Sequence, residues 1–203
     1  MKQTEQVAMT PEGALDVLLE GNQRFVAGET TSRDWPAEVK EYADGQYPFA
    51  AVVSCLDSRI PVEVVFDQGI SDIFVARIAG NFVNDDILGS LEFAGMVGVK
   101  LILILGHTGC GAVNGAIQKV DSGLLTTTLA NINPAVESVK AEGGSESDDD
   151  FAYRVTVRNV QLTMEKLHTR SINLRAAIDK GDIKLAGAIY DIKTGVVSTI
   201  SNG

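Results

Sequence analysis

Cysteine and histidine are both scarce in this 203-residue chain, with two of each. Two cysteines are too few for a disulfide-built scaffold, although a single Cys55–Cys110 bridge is permitted on number alone. Two histidines, His107 and His168, exclude any metal site that needs three. A basic face is missing too. Seventeen Lys and Arg against 27 Asp and Glu leave a formal charge of -10, which argues against a surface that tracks nucleic-acid phosphates. The densest charge, Glu146-Ser147-Asp148-Asp149-Asp150, is acidic and reads as a solvated loop. No apolar run approaches the ~18 residues that span a bilayer. The longest, Val99 to Leu105, is of strand length and carries Lys100. Met1 to Glu5 lacks the apolar stretch of an export signal, so the expected location is cytoplasmic, with neither membrane nor nucleic acid as partner.

What is present is a core-forming composition, 45% hydrophobic, which suits one domain over residues 1–203. Thr10, Pro11 and Glu12 form a helix start, and Leu15, Leu18, Leu19, Phe25 and Val26 follow helical spacing with one polar break at Asn22. Gly28 stops that helix. Residues 29–47, with the only tryptophan, Trp35, read as an irregular arm, lying on its own domain or on a partner subunit. Strands are expected at 49–54, 72–77, 99–105, 183–190 and 196–200. Helices are expected at 61–66, 85–96, from Cys110 to about Val120, 124–140 with a bend near Pro134, 151–167 and 171–180. Continuous apolar strands alternating with helices predict an α/β fold, a mainly parallel central sheet flanked by helices, with an N-terminal helical arm.

The chemistry gathers at two strand ends, where open α/β sheets place their ligand sites. The first strand delivers Cys55-Leu56-Asp57-Ser58-Arg59 and the third delivers Gly106-His107-Thr108-Gly109-Cys110. Cys55, His107 and Cys110 are three good zinc ligands. No further cysteine or nearby histidine closes the set, so the fourth position falls to water or to Asp57. Asp57 can instead orient a metal-held hydroxide toward a substrate carbon, with Arg59 pairing it and keeping it off the metal. Ser58 and Gly111 add nearby donors. The competing reading is a non-enzymatic zinc or redox module. His168, far along a helix, reads as an ordinary surface or partly buried helix histidine.

At these residues the chain resembles the β-class carbonic anhydrases: Cys55-x-Asp57-Ser58-Arg59, His107-x-x-Cys110, Arg77-Ile78-Ala79-Gly80-Asn81 and Gly187-Ala188-Ile189-Tyr190-Asp191 all match, over about Ala14 to Val197. The resemblance implies reversible hydration of carbon dioxide to bicarbonate and a proton, with Zn2+ held by Cys55, His107 and Cys110 and an Asp57–Arg59 catalytic dyad. It implies a homodimer or homotetramer, with the N-terminal arm gripping the partner. It also leaves open a related carbonyl sulfide or carbon disulfide hydrolase. Members with an inhibitory bicarbonate pocket carry a tryptophan where this chain has Val52, although Arg77 and Tyr190 match that pocket's other residues. Constitutively open members carry a glutamine at the position of Gln46. Gln46, Gly111, Phe74 and Val83 are accordingly the expected substrate-binding residues.

Overall fold

The structure is a computed structural model, and it describes residues 1–201. The N-terminal segment forms α1 (Gln3–Ala8), α2 (Pro11–Ala27) and α3 (Trp35–Glu41). Then follow β1 (Ala50–Ser54), α4 (Val62–Val65), β2 (Ile73–Arg77), α5 (Asp85–Val97), β3 (Leu101–His107) and α6 (Gly111–Ile117). The chain closes with α7 (Leu124–Ala130), α8 (Asn133–Ala141), α9 (Phe151–Arg170), α10 (Ile172–Lys180), β4 (Lys184–Tyr190) and β5 (Val197–Thr199). No described helix is long and apolar enough to cross a membrane.

The strands lie in the order β2-β1-β3-β4-β5. The first four run parallel, and only β5 turns back antiparallel to β4. Side-chain alternation divides the central strands between two cores. Ala50 and Val52 with Leu101, Leu103 and Leu105 face α2, α4, α6, α8 and the start of α9. Ala51 and Val53 with Ile102 and Ile104 face α5, α10 and the rest of α9. Covering both faces is what allows β1 and β3 to be apolar at successive positions, as expected for a parallel sheet.

The start of α2 is as the sequence predicts: Thr10 Oγ1 accepts from Gly13 N–H at 3.0 Å, and Pro11 takes the first helical position. Gly28 ends it with a left-handed φ of 72°. Other boundaries differ. The expected 124–140 helix is two helices, because the chain turns at Asn131–Ile132 and Pro134 sits in the first turn of α8, where its missing N–H costs nothing. The helix after Cys110 ends at Ile117, and the third strand extends through His107. The arm is not irregular throughout, since Asp34 Oδ1 caps α3 by accepting from Ala37 N–H at 3.1 Å. Neither α1 nor α3 has a periodicity long enough to stand out in the sequence.

The arm is tied to its own chain. The Asp67 carboxylate accepts from Arg24 Nε at 2.6 Å and from Thr31 Oγ1 at 2.9 Å, and Arg33 Nη2 donates to the Asp67 carbonyl at 2.6 Å. Burial opposes ionisation of Asp67, but the hydrogen bonds from Arg24 and Thr31 outweigh it and hold the carboxyl below its ordinary range.

Asn22, the polar break of α2, is a buried clasp. Its Nδ2 donates to Val65 O at 3.1 Å and to Gly195 O at 2.8 Å, and its Oδ1 accepts from Val197 N–H at 2.8 Å. One amide thus joins α2, the end of α4 and the start of β5. Asn22→Ala strands these three main-chain groups in the interior and is expected to lower stability by about 2 kcal/mol or more, read from urea unfolding midpoints.

Candidate metal centre

Two adjacent parallel strand ends make the site. Ser54 lies in register with Leu105, and His107 with Tyr190, so Cys55 leaves β1 alongside the last two residues of β3. Cys110, at the N-cap of α6, follows after a tight turn in which Gly109 has φ 64°. Cys55, His107 and Cys110 thereby bring one ligand atom each to within 4.8 Å of one another. All three are buried, at 4%, 0% and 2% exposure, so bulk water is excluded from this face of the site.

The donors are prepared for a cation. Nδ1 of His107 lies 3.0 Å from the Thr108 carbonyl oxygen. A carbonyl only accepts, so Nδ1 carries the hydrogen and Nε2 keeps its lone pair. That Nε2 is fully buried and has no hydrogen-bond partner among the described residues, an arrangement costly enough to call for a ligand. The two sulfurs are 3.9 Å apart. Two zinc–sulfur bonds of about 2.3 Å at a tetrahedral angle span about 3.8 Å, so the spacing fits zinc.

The thiols are electrostatically distinct. Hydrogen bonding with Cys110, and then from the Gly80 amide, draws the Cys55 thiol well below its ordinary value against the opposing effect of burial. Gly80 N–H donates to Cys55 Sγ at 3.3 Å. Cys110 is pushed up, chiefly by its hydrogen bond with Cys55, by burial and by repulsion from that neighbour, while the amides of Val113 and Ala112 pull it down. A divalent ion held by both sulfurs would offset that repulsion and favour two thiolates. Gly80 is fixed by space as well as by φ 85°, since a Cβ there meets Ile132 Cδ1 at 2.5 Å.

Asp57 stands outside the three-ligand group. Arg59 Nε donates to Asp57 Oδ1 at 2.9 Å, Nη2 to Oδ2 at 2.6 Å, and the Arg59 N–H also reaches Oδ1 at 3.0 Å. This fork holds the Asp57 carboxyl far below the usual carboxylate range. Arg59 Nη2 further donates to Gly109 O at 3.2 Å, linking the first loop to the second. Ser58 is exposed, and Gly111 is exposed at the start of α6 beside Cys110.

Three expected substrate residues do not join this group within one chain. Gln46 precedes β1, and its neighbours Ile70 and Ser71 precede β2, so it lies exposed at the opposite end of the sheet from Cys55. Val83 is fully buried in the second core, and Phe74 packs there against Phe93 with ring centroids 6.1 Å apart. Cys55 and Cys110 belong to the other core, so strand alternation in β2 turns Phe74 to the opposite face, and the β2–α5 connection carries Val83 there too.

Arg77 has a part that residue types alone did not reveal. Its Nε donates to Cys55 O at 2.9 Å and its Nη2 to Asp57 O at 2.6 Å, clamping the first loop. Its position at the end of β2 was the available signal. His168 is the surface histidine expected, partly exposed and paired with Asp179 at 2.7 Å.

The carbonic anhydrase family model matches residues 50–197, which runs from β1 to the start of β5 and contains all three metal-group residues. Carbonic anhydrase 2 of Mycobacterium tuberculosis is 35% identical over 192 residues, covering 91% of this chain and 90% of that protein. A carbonic anhydrase of Mycolicibacterium smegmatis is 33% identical, covering 95% and 94%. Among solved structures, a β-carbonic anhydrase of Aspergillus fumigatus superposes with a TM-score of 0.77 at 27% identity, covering 93% and 91%. A tetrameric β-carbonic anhydrase of Sordaria macrospora gives 0.75 at 26%, covering 82% and 87%. The chain belongs to the β-class carbonic anhydrases.

Removing one sulfur tests the donor set. The wild-type chain is expected to hold one zinc ion, and Cys110→Ser to bind it more than about 100-fold more weakly, since losing a ligand exceeds the 10–100-fold cost of losing a ligand's support. Elemental analysis after dialysis against a chelator series reads this out.

Proposed function

We propose that the chain reversibly hydrates carbon dioxide to bicarbonate and a proton, with one zinc ion held by Cys55, His107 and Cys110. The observation that carries this reading is the unpartnered, buried Nε2 of His107 beside two thiols, with an ionised carboxylate fixed just outside them. When bound there, zinc supplies Lewis acidity that brings the pKa of a water toward neutrality. Two thiolates and a neutral imidazole leave little net positive charge, so the surrounding protein must contribute more than at a three-histidine site.

Asp57 and Arg59 make that contribution. As a carboxylate, Asp57 only accepts hydrogen bonds, so it takes one from the attacking water and directs the remaining lone pair at the substrate carbon. Arg59 keeps Asp57 ionised and turned away from the three donors. The Asp57 side chain is 15% exposed, enough for the released proton to pass by it to solvent or buffer.

The same pair favours an open resting site. Val52 is a core residue of β1, and the Arg77 guanidinium is committed to the carbonyls of Cys55 and Asp57. An inhibitory bicarbonate pocket therefore lacks its tryptophan and its free arginine. We infer a homodimer or homotetramer, in keeping with the tetrameric relatives of Sordaria macrospora. Gln46, exposed at the far end of the sheet, reaches substrate only through a second copy.

Asp57→Asn is expected to retain zinc and lose about 100-fold in carbon dioxide hydration, the usual scale for a misdirected nucleophile. Stopped-flow hydration beside zinc content measures both, with carbonyl sulfide as the parallel substrate. Wild-type turnover in the mutant refutes the orienting role, and faster turnover of carbonyl sulfide refutes the substrate. Bicarbonate is expected to inhibit as an ordinary product with a Hill coefficient near one. Steep cooperativity in the same assay points instead to a closed resting state.

A further inference from the structure

The acceptor that fixes the His107 tautomer is a main-chain carbonyl, and main-chain carbonyls are easily displaced unless their peptide is held. Thr108, which owns it, is held on three sides by the turn between β4 and β5. Its N–H donates to Tyr190 O at 3.0 Å, extending the β3–β4 ladder one residue past His107. Its Oγ1 accepts from Ile192 N–H at 3.1 Å and donates to Asp191 Oδ1 at 3.5 Å. Asp191 Oδ1 also accepts from Lys193 N–H at 2.7 Å, which fixes the carboxylate in its own turn.

The same turn presses on the metal loop at a second point. Ile192 lies against Gly109, where an added Cβ would meet Ile192 Cδ1 at 3.0 Å. The turn is in its place because Asn22 holds both Gly195 and Val197. A connected set of contacts therefore runs from α2 through the β4–β5 turn to the imidazole.

We propose that Thr108 is a positioning residue for the metal, its hydroxyl anchoring the carbonyl that orients His107 and so setting zinc affinity; this rests on the three-ligand reading above. Without the hydroxyl, Ile192 N–H loses its acceptor and the 108 peptide is free to tilt. The Nδ1–H···O bond then loosens and Nε2 no longer keeps a fixed direction. Loss of such supporting hydrogen bonds generally weakens metal binding 10–100-fold.

The test compares zinc dissociation constants, by chelator competition on the full chain, for wild type, Thr108→Ser and Thr108→Val. Valine preserves shape and removes the hydroxyl, while serine keeps it. Expected are about tenfold weaker binding in Thr108→Val, near wild-type binding in Thr108→Ser, and little change in the melting temperature of the metal-free protein for either. Equal affinity in all three overturns the proposal while leaving the zinc site intact. So does equal weakening in valine and serine, or a loss of affinity that only follows a fall in melting temperature. Absence of zinc binding in the wild type overturns the ligand reading and this proposal with it. Independently of any variant, nitrogen-15 shifts of the metal-free wild type should report the Nδ1–H tautomer of His107. The Nε2–H tautomer sinks the proposal even if the valine variant does not fold.

Discussion

The parallel register of β1 and β3 is the constraint on which the site depends. Ser54 pairs with Leu105, and each strand then delivers its chemistry within two residues of that point. A slip of one residue would turn Cys55 or His107 to the opposite face, because successive side chains alternate. The register is secured by the apolar residues themselves, which must fill two separate cores on the two faces of the sheet. Packing forces with no chemical role thus set the position of the donors to within ångströms.

A buried set of two thiols and an imidazole has a physical cost that the fold meets with main-chain dipoles. Gly80 donates its amide to Cys55, the first amides of α6 favour the Cys110 thiolate, and the Thr108 carbonyl settles the histidine tautomer. Arginines tie the loops together. Arg59 bridges Asp57 and Gly109, and Arg77 bridges Cys55 and Asp57. Planar guanidinium forks suit this work, since each satisfies several acceptors in one fixed geometry.

The second layer of support comes from the chain ends. Asn22 in α2 and the β4–β5 turn are distant in sequence from the metal group, yet Asn22 positions the turn and the turn grips Thr108. Asp67 does the same for the arm, collecting Arg24, Thr31 and Arg33 at one carboxylate and its backbone. A buried polar residue with every hydrogen bond satisfied can specify one arrangement among several that hydrophobic packing alone would accept.

Much of the fold was legible in the sequence because its signals are local. Capping at Thr10, the left-handed stop at Gly28 and the apolar runs of β1 and β3 each express a preference of a few neighbouring residues. The paired spacings around Cys55 and His107-x-x-Cys110 likewise pointed to the three side chains whose ligand atoms meet within 4.8 Å, since two strand-to-turn segments can point their side chains at one space. What stayed illegible depends on contacts between distant segments. The short helices α1 and α3 lack the length for a periodic signal, and Trp35–Glu41 is set in place by Arg33, which donates to Asp67 O, and by Glu38, which accepts from Ile70 N–H. Residue type suggested Phe74 and Val83 as pocket lining, but only the alternation of β2 and the packing of α5 put them in the second core. Gln46 sits nine residues before Cys55, a spacing that in a strand leads to the far end of the sheet rather than to the site. The sequence by itself therefore determined which atoms can bind a metal, because donor chemistry belongs to side chains. The tertiary structure alone decided which of them meet, which tautomer they hold and what keeps Asp57 apart, because those follow from register, burial and hydrogen bonds between segments far apart in the chain.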